Sequence, residues 1–218
     1  MTRGKLLHHR ADRLWTVLLL ALSLLTILLL VHYSSSPPNV RAVSERPEVA
    51  TASAAAARSM EQRADRITAA LAGAVPAAGG ATLDHCRSDR RPFGIPRYKR
   101  TYCVHELTRY LGFDGDFAGT GTAWDSALLD RHWTPSDGSW LDGNLRLTVQ
   151  RVEGPAGLPD FQDPLDRAAA DPGPTHVIRD RRPSSAEAAA RSSAAAAEVL
   201  RAHRHLAVVH LSLSYYRD

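Results

Sequence analysis

The residues in this chain best suited to chemistry are acidic residues and histidines, and the first group has the spacing of a calcium-binding loop. Asp114, Asp116, Gly119 and Asp125 match positions 1, 3, 6 and 12 of such a loop. Ala118 replaces the ligand expected at position 5, and Asp125 is shorter than the bidentate Glu that closes these loops. We therefore interpret the four residues as ordinary turn residues and expect no calcium site.

Three histidines near the C-terminal end, His203, His205 and His210, carry imidazoles that could bind a transition metal. The first two lie at the expected end of a helix, where positive side chains are favourable in any case. No carboxylate is spaced to complete a site with them. We assign no metal ligand and expect no cofactor.

A third candidate is His105, which shares a strand face with Cys103 and Leu107 and is followed by Glu106. An imidazole beside a carboxylate suits general acid–base catalysis, and a nearby Asp could complete the pair. The same pattern fits a strand histidine with a local partner, and this is our interpretation.

An enzyme would need several histidines gathered with an acidic partner in a pocket. The histidines that could form such a cluster are His85, His105, His132 and His176. Asp160, Asp163 and Asp166 recur every three residues, but the prolines around them indicate a solvated loop. Because no nucleophile, base and orienting group come together in the sequence, we assign no catalytic residue.

Cys86 and Cys103 are the only cysteines. In an oxidising compartment such a pair is predicted to form a disulfide, which in the chain-entropy model is worth about 3 kcal/mol for a loop of this length. A metal site would need more ligands than these two thiols.

The run from Leu14 to Val31 has no charged residue, Gly or Pro, and would form a helix about 27 Å long, close to the roughly 30 Å hydrocarbon core of a membrane. Basic residues precede it, which places residues 1–13 in the cytoplasm and the chain after residue 33 outside. Because Pro37 obstructs the nearest cleavage site, residues 14–33 are predicted to be an uncleaved signal anchor of a single-pass protein in the cell membrane.

Most of the net charge of +4 lies in the first 13 residues, which contain four basic residues and one acidic residue. The rest of the chain holds 23 basic and 22 acidic residues, so no basic face is spread over the domain. We therefore expect no nucleic-acid partner.

Residues 34–58 are rich in Ser, Pro and Ala, with Val40, Val43 and Val49 as the only large apolar residues, and are predicted to form a disordered stalk. A helical pattern begins at Ser59 and opens a domain over residues 59–218, with its core at about 81–218.

Strands are predicted over residues 98–111, 145–150, 175–179 and 207–215, and helices begin near Thr122 and Ser184. This order favours an α+β fold in which an antiparallel sheet carries helices on one face, in a ferredoxin-like arrangement. In the last strand, alternation from Ala207 to Tyr215 predicts that Leu211 faces the core while His210 and Ser212 point the other way.

The stretch CRSDRRPFGIPRYKRTYCVHELTRYLGFDGDF, residues 86–117, follows the basic start, the Leu-rich run and the Ser/Pro/Ala segment. In this organisation the chain resembles uncharacterised single-pass membrane-anchored or secreted proteins of actinobacteria. The 34 Ala and 25 Arg against 2 Lys fit a high-GC genome of that kind. The resemblance covers residues 80–218 and implies no activity and no functional residue.

Two function classes are expected. The first is a membrane-tethered extracytoplasmic module, not an enzyme, that binds an envelope component, cell-wall material or another membrane protein. The alternative is a cell-envelope enzyme whose site is built from scattered His and Asp residues.

Overall fold

The computed structural model describes Trp15 and residues 18–29, 39–77, 80–88, 100–156, 175–180 and 185–218. Its helices are α1 (residues 18–29), α2 (Val40–Ser44), α3 (Pro47–Ala70), α4 (Phe117–Leu129) and α5 (Ser185–Ala202). Its strands are β1 (Val75–Pro76), β2 (Ala81–Arg87), β3 (Tyr102–Phe113), β4 (Thr134–Ser136), β5 (Ser139–Asp142), β6 (Leu145–Glu153), β7 (Thr175–Asp180) and β8 (His205–Arg217).

One sheet contains all of these strands, in the order β4-β5-β6-β8-β3-β2-β7, with β1 paired to β3. Every pairing is antiparallel. The two longest strands, β3 and β8, lie side by side at the centre. The α+β fold with an antiparallel sheet is therefore confirmed.

Helix α3 covers one face of the sheet, which we call the α3 face. Pro47 opens the helix and alanines fill much of it, both of which favour helical structure. Its buried stripe recurs at spacings of three and four residues and includes Met60, Ala64 and Ile67. The stripe packs on Leu211 and the other inward residues of β3, β6 and β8, and Trp124 of α4 joins the same core.

Helix α5 packs on the opposite face, which we call the α5 face. Its Val199 and Leu200 contact Tyr110 of β3 and Val208 of β8. Because β8 is apolar on both sides over its first half, it can be buried between two helical layers. The expectation of helices on one face, and with it the ferredoxin-like arrangement, is therefore wrong.

The predicted disordered stalk is also wrong for residues 40–58, which lie in α2 and α3. Val40, Val43 and Val49 are buried and pack around Cys86 and Cys103. Three valines suffice because the sheet supplies the rest of the apolar surface that the segment lacks. The folded domain thus begins before Ser59, whereas residues 34–38 lie outside the described part of the chain.

Helix α1 is the described part of the predicted signal anchor. Its leucines and isoleucine are each between 54% and 65% exposed. Within the described residues, no helix is long and apolar enough to cross a membrane. Residues 14, 16–17 and 30–33 of the predicted anchor lie outside those residues, and the anchor stays a prediction.

Candidate functional site

Two carboxylate–histidine pairs share strand β3, one on each face of the sheet. Consecutive strand residues point to opposite faces, so His105 and Glu106 cannot pair with each other. Asp84 of β2 lies directly opposite His105 on the α3 face. Glu106 instead contacts His210 of β8 on the α5 face.

On the α3 face, the Asp84 carboxylate has three polar neighbours. The His105 Nδ1 atom lies 3.7 Å from Asp84 Oδ2. The Ser53 hydroxyl of α3 donates a hydrogen bond to the same oxygen, and the Tyr215 hydroxyl donates to Oδ1 at 2.7 Å. Asp84, His105 and Ser53 are all buried. The contacts join α3, β2, β3 and β8 through one carboxylate.

A bulge in β8 lies at Tyr215, the residue that reaches this carboxylate. Ser214 pairs with Val104 and Tyr216 pairs with Cys103, which leaves Tyr215 as an extra residue between them. A bulge of this kind redirects a side chain. Tyr215 can therefore contact both the apolar core of the α3 face and Asp84.

The charge state of Asp84 follows from these contacts. Burial alone would raise the pKa of Asp84, but the neighbouring His105 and the hydrogen bonds from Ser53 and Tyr215 outweigh it and hold the pKa below its usual value. Burial and the neighbouring Asp84 both raise the pKa of the Tyr215 phenol, which stays protonated as a donor. Ser53 donates to a carboxylate and not to an imidazole, unlike a nucleophile activated by a base. The arrangement suits a structural role.

The disulfide lies beside this pair. Cys86 and Cys103 are opposite each other on β2 and β3, with their Cα atoms 3.9 Å apart, and they are bonded. Both are fully buried under α2. The predicted Cys86–Cys103 disulfide is confirmed.

On the α5 face, the Glu106–His210 pair has far fewer contacts. Glu106 Oε2 lies 3.5 Å from His210 Nε2, and the two side chains are 6% and 15% exposed. Thr108, fully buried, lies opposite His210 in the register. Glu106 Oε2, Thr108 Oγ1 and His210 Nε2 have no hydrogen-bond partner in the structure as described. Buried polar atoms are rarely left this way in folded proteins.

Other polar residues extend this region across the sheet. Thr148 lies opposite His210 on β6, and Ser212 lies opposite Glu106 on β8. Both are half-buried. We call Glu106, Thr108, Thr148, His210 and Ser212 the polar half of the α5 face, because α5 packs on the apolar half. A carboxylate, hydroxyls and an imidazole together can accept hydrogen bonds from a ligand and donate to it.

The acids of the calcium-loop pattern have other roles. Asp114 accepts hydrogen bonds from His203 Nδ1 at 2.9 Å and from the Arg204 backbone N–H at 2.8 Å. Asp116 accepts from the Gly119 backbone N–H and caps α4. Among the residues with described positions, no group of three or more His, Cys, Asp and Glu is placed to bind a metal.

The other histidines of the described part of the chain are dispersed. His203 pairs with Asp114 at the end of α5, whereas His205 packs on Phe113 and Phe117. His132 is exposed just after α4, and His176 is half-buried on β7. His85 is buried on β2, on the opposite face from His105. Asp160, Asp163 and Asp166 lie outside the described residues.

Sequence reasoning missed Ser53, Asp84 and Tyr215. Ser53 is 31 residues from Asp84, and Tyr215 is 131 residues from it. No local pattern links such distant positions. What the chain does must be inferred from this geometry, because nothing among protein-family models, curated proteins or solved structures matches it.

Proposed function

We propose that this chain is a membrane-tethered extracytoplasmic module without catalytic activity, which binds a hydroxyl-bearing component of the cell envelope. In this proposal residues 1–13 are cytoplasmic, residues 14–33 form the uncleaved anchor, and the folded domain lies outside. The ligand contacts the polar half of the α5 face.

Two features support the tether. The apolar run contains α1, whose leucines are exposed, and continuous apolar surface of this kind is typical of contact with lipid or protein. The Cys86–Cys103 disulfide fits an oxidising compartment outside the cytoplasmic membrane.

The observation that carries the binding function is the set of unpartnered polar atoms on Glu106, Thr108 and His210. Leaving such atoms unpaired costs about 1–3 kcal/mol each, and a ligand that supplies the missing partners recovers this free energy. A hydroxyl group can donate to the Glu106 carboxylate and accept from the Thr108 hydroxyl. The partial exposure of His210 gives the ligand an approach.

The binding test uses the full chain in detergent, with purified cell-wall sacculi as the probe. The protein should co-sediment with the sacculi, and Glu106→Gln should weaken binding about tenfold through loss of a hydrogen bond to a charged group. Asp65→Asn is the matched control, because Asp65 is an exposed carboxylate paired with Arg109 on the other face. Failure of the wild-type chain to sediment, or equal loss in both variants, would contradict the proposal.

The tether is tested separately by adding protease to intact protoplasts. The domain should be degraded from outside while the anchor stays in the membrane fraction. A protected domain, or its release uncut into the medium, would show that the topology is wrong.

A cell-envelope enzyme is the second candidate, favoured by the 3.5 Å contact between Glu106 and His210. A carboxylate beside an imidazole can move a proton in general acid–base catalysis. Asp84 and His105 cannot contribute, because they lie on the opposite face. Soluble fragments released from sacculi by the wild type and not by His210→Gln, detected by mass spectrometry, would favour the enzyme.

A further inference from the structure

A cavity of about 380 Å³ lies beside α4 on the α3 face, bordered by the turn between β4 and β5. Its lining includes Gly121, Trp124, Asp125, Asp137, Trp140 and Arg151. We call it the α4 cavity. It is separated from the polar half of the α5 face by the sheet.

The guanidinium of Arg151 is held in this cavity by two residues of α4. A Cβ atom at position 121 would lie 1.1 Å from Arg151 Nη1, so only glycine leaves room for the guanidinium there. Arg151 Cζ also lies 5.6 Å from the centre of the Phe117 ring, in cation–π contact. Phe117 and Gly121 are one helical turn apart, and together they fix the cation against the helix.

The Arg151 guanidinium forms no ion pair and no hydrogen bond with any residue that the structure describes. Several other arginines of this domain pair with carboxylates: Arg41 with Glu45, Arg46 with Asp218, Arg63 with Asp142, and Arg109 with Glu61 and Asp65. A guanidinium presents a planar fork of donors that matches a carboxylate. Its free donors in a cavity therefore indicate an anion-binding position.

The walls of the α4 cavity restrict which anion fits. Trp124 is fixed by a 3.0 Å hydrogen bond from Nε1 to the Ala72 carbonyl, and Trp140 forms a second aromatic wall. These indole rings suit a flat apolar group. Asp125 and Asp137 line the same cavity. Their negative charge repels a doubly charged phosphate more strongly than a singly charged carboxylate.

We infer that the α4 cavity binds a small ligand in which a carboxylate is attached to a flat apolar group, with Arg151 holding the carboxylate. This site is distinct from the proposed envelope-binding surface. The α4 cavity lies on the other face of the sheet and binds its ligand through a guanidinium, whereas the polar half of the α5 face presents a carboxylate, hydroxyls and an imidazole.

The test measures binding of benzoate to the full chain in detergent by isothermal titration calorimetry, with neutral benzamide and inorganic phosphate as comparison ligands. Benzoate should bind, and benzamide and phosphate should each bind about tenfold more weakly or not at all. No benzoate binding, or equal binding of benzamide or phosphate, would overturn the inference.

Two variants locate the site. Arg151→Met should weaken benzoate binding about tenfold. Gly121→Ala keeps the net charge and favours the helix, but its methyl group displaces the flexible guanidinium, so it should have the same effect. Arg58→Met, an exposed arginine on α3 outside the cavity, should bind like the wild type. Unchanged binding in either cavity variant, with circular dichroism confirming folding, would also overturn the inference.

Discussion

The two carboxylate–histidine pairs of this sheet combine the same functional groups, are largely buried and share strand β3, yet their surroundings differ. Asp84 contacts His105, Ser53 and Tyr215, which come from three different elements. Glu106 contacts His210 and leaves Oε2 without a hydrogen bond among the described residues. Functional groups and burial therefore do not set the two pairs apart, whereas the donors to the carboxylate do: Ser53 and Tyr215 donate to Asp84, and Glu106 Oε2 has no donor among the described residues.

The difference follows from what covers each face. Helix α3 carries a serine at the point where it crosses β2, so the α3 face supplies a donor to Asp84. Helix α5 ends over Tyr110 and Val208 and contributes apolar contacts there. Asp84, under α3, is thus held by hydrogen bonds from other elements, whereas Glu106, beyond α5, lacks a hydrogen bond to Oε2 among the described residues.

Asp84→Ala is expected to have the largest effect on stability. Removing the carboxylate leaves the Ser53 and Tyr215 hydroxyls without their acceptor and the buried His105 without its neighbouring charge, and we expect a loss of about 3–5 kcal/mol in the free energy of unfolding. Urea denaturation of the oxidised protein measures it. Asp65→Ala, at an exposed ion pair, should cost less than about 1 kcal/mol. Similar losses for the two variants would mean that Asp84 is not the centre of a structural network.

The disulfide beside Asp84 should give the next largest effect. Cys103→Ser is expected to lower the free energy of unfolding by about 2–4 kcal/mol, because the unfolded chain regains the entropy that the crosslink removes. Mass spectrometry without reduction should show Cys86 linked to Cys103 in the wild type. Reductant should destabilise the wild type and leave the variant unchanged. Free thiols at both positions in freshly isolated protein would contradict this prediction.

Acid should weaken the Asp84 pair selectively. The pKa of Asp84 is lower in the folded chain than in the unfolded chain, where it is about 3.9, so protonation favours unfolding. The contribution of Asp84 to stability is complete at a pH above its pKa in the unfolded chain. It is lost as the pH falls through its pKa in the folded chain. Urea midpoints measured from about pH 6 to about pH 2 should fall more steeply for the wild type than for Asp84→Asn. Equal slopes would show that Asp84 has no lowered pKa.

The smallest effect is expected at the other pair. Glu106→Gln should change the free energy of unfolding by less than about 1 kcal/mol, because the carboxylate has few interactions to lose. Leu211→Ala, on β8 and facing the α3 core, is the positive control for the assay. It should cost about 2–5 kcal/mol. If Glu106→Gln were as harmful as Leu211→Ala, the polar half would be structural as well.

The sequence predicted those parts of the fold that depend on local patterns. Alternation placed Leu211 on the α3 face and His210 on the other, and the structure confirms both positions. Alternation could not show that Val208, which lies on the same face as His210 and opposite Tyr110, is also buried. That depends on α5, whose alanine-rich sequence gives little indication of the surface it covers.

Residues 40–58 and the Asp84 network were missed for related reasons. The Ala- and Ser-rich start of α3 has the composition of a disordered segment, and its burial comes from the sheet on which it packs. Ser53 is an ordinary serine in that segment until β2 brings Asp84 beneath it. Tyr215 fits the alternating pattern of β8, which gives no sign that its hydroxyl reaches Asp84 on β2, two strands away.

The position of β8 in the sheet has a consequence for biosynthesis. It is the last strand in chain order, yet it lies between β6 and β3 and joins the two halves of the sheet. During synthesis, the facing edges of β3 and β6 therefore stay unpaired until residues 205–217 emerge. Open strand edges are templates for aggregation. A nascent chain interrupted before His205 would expose two of them, so this fold depends on complete translation, or on a chaperone that shields both edges until β8 arrives.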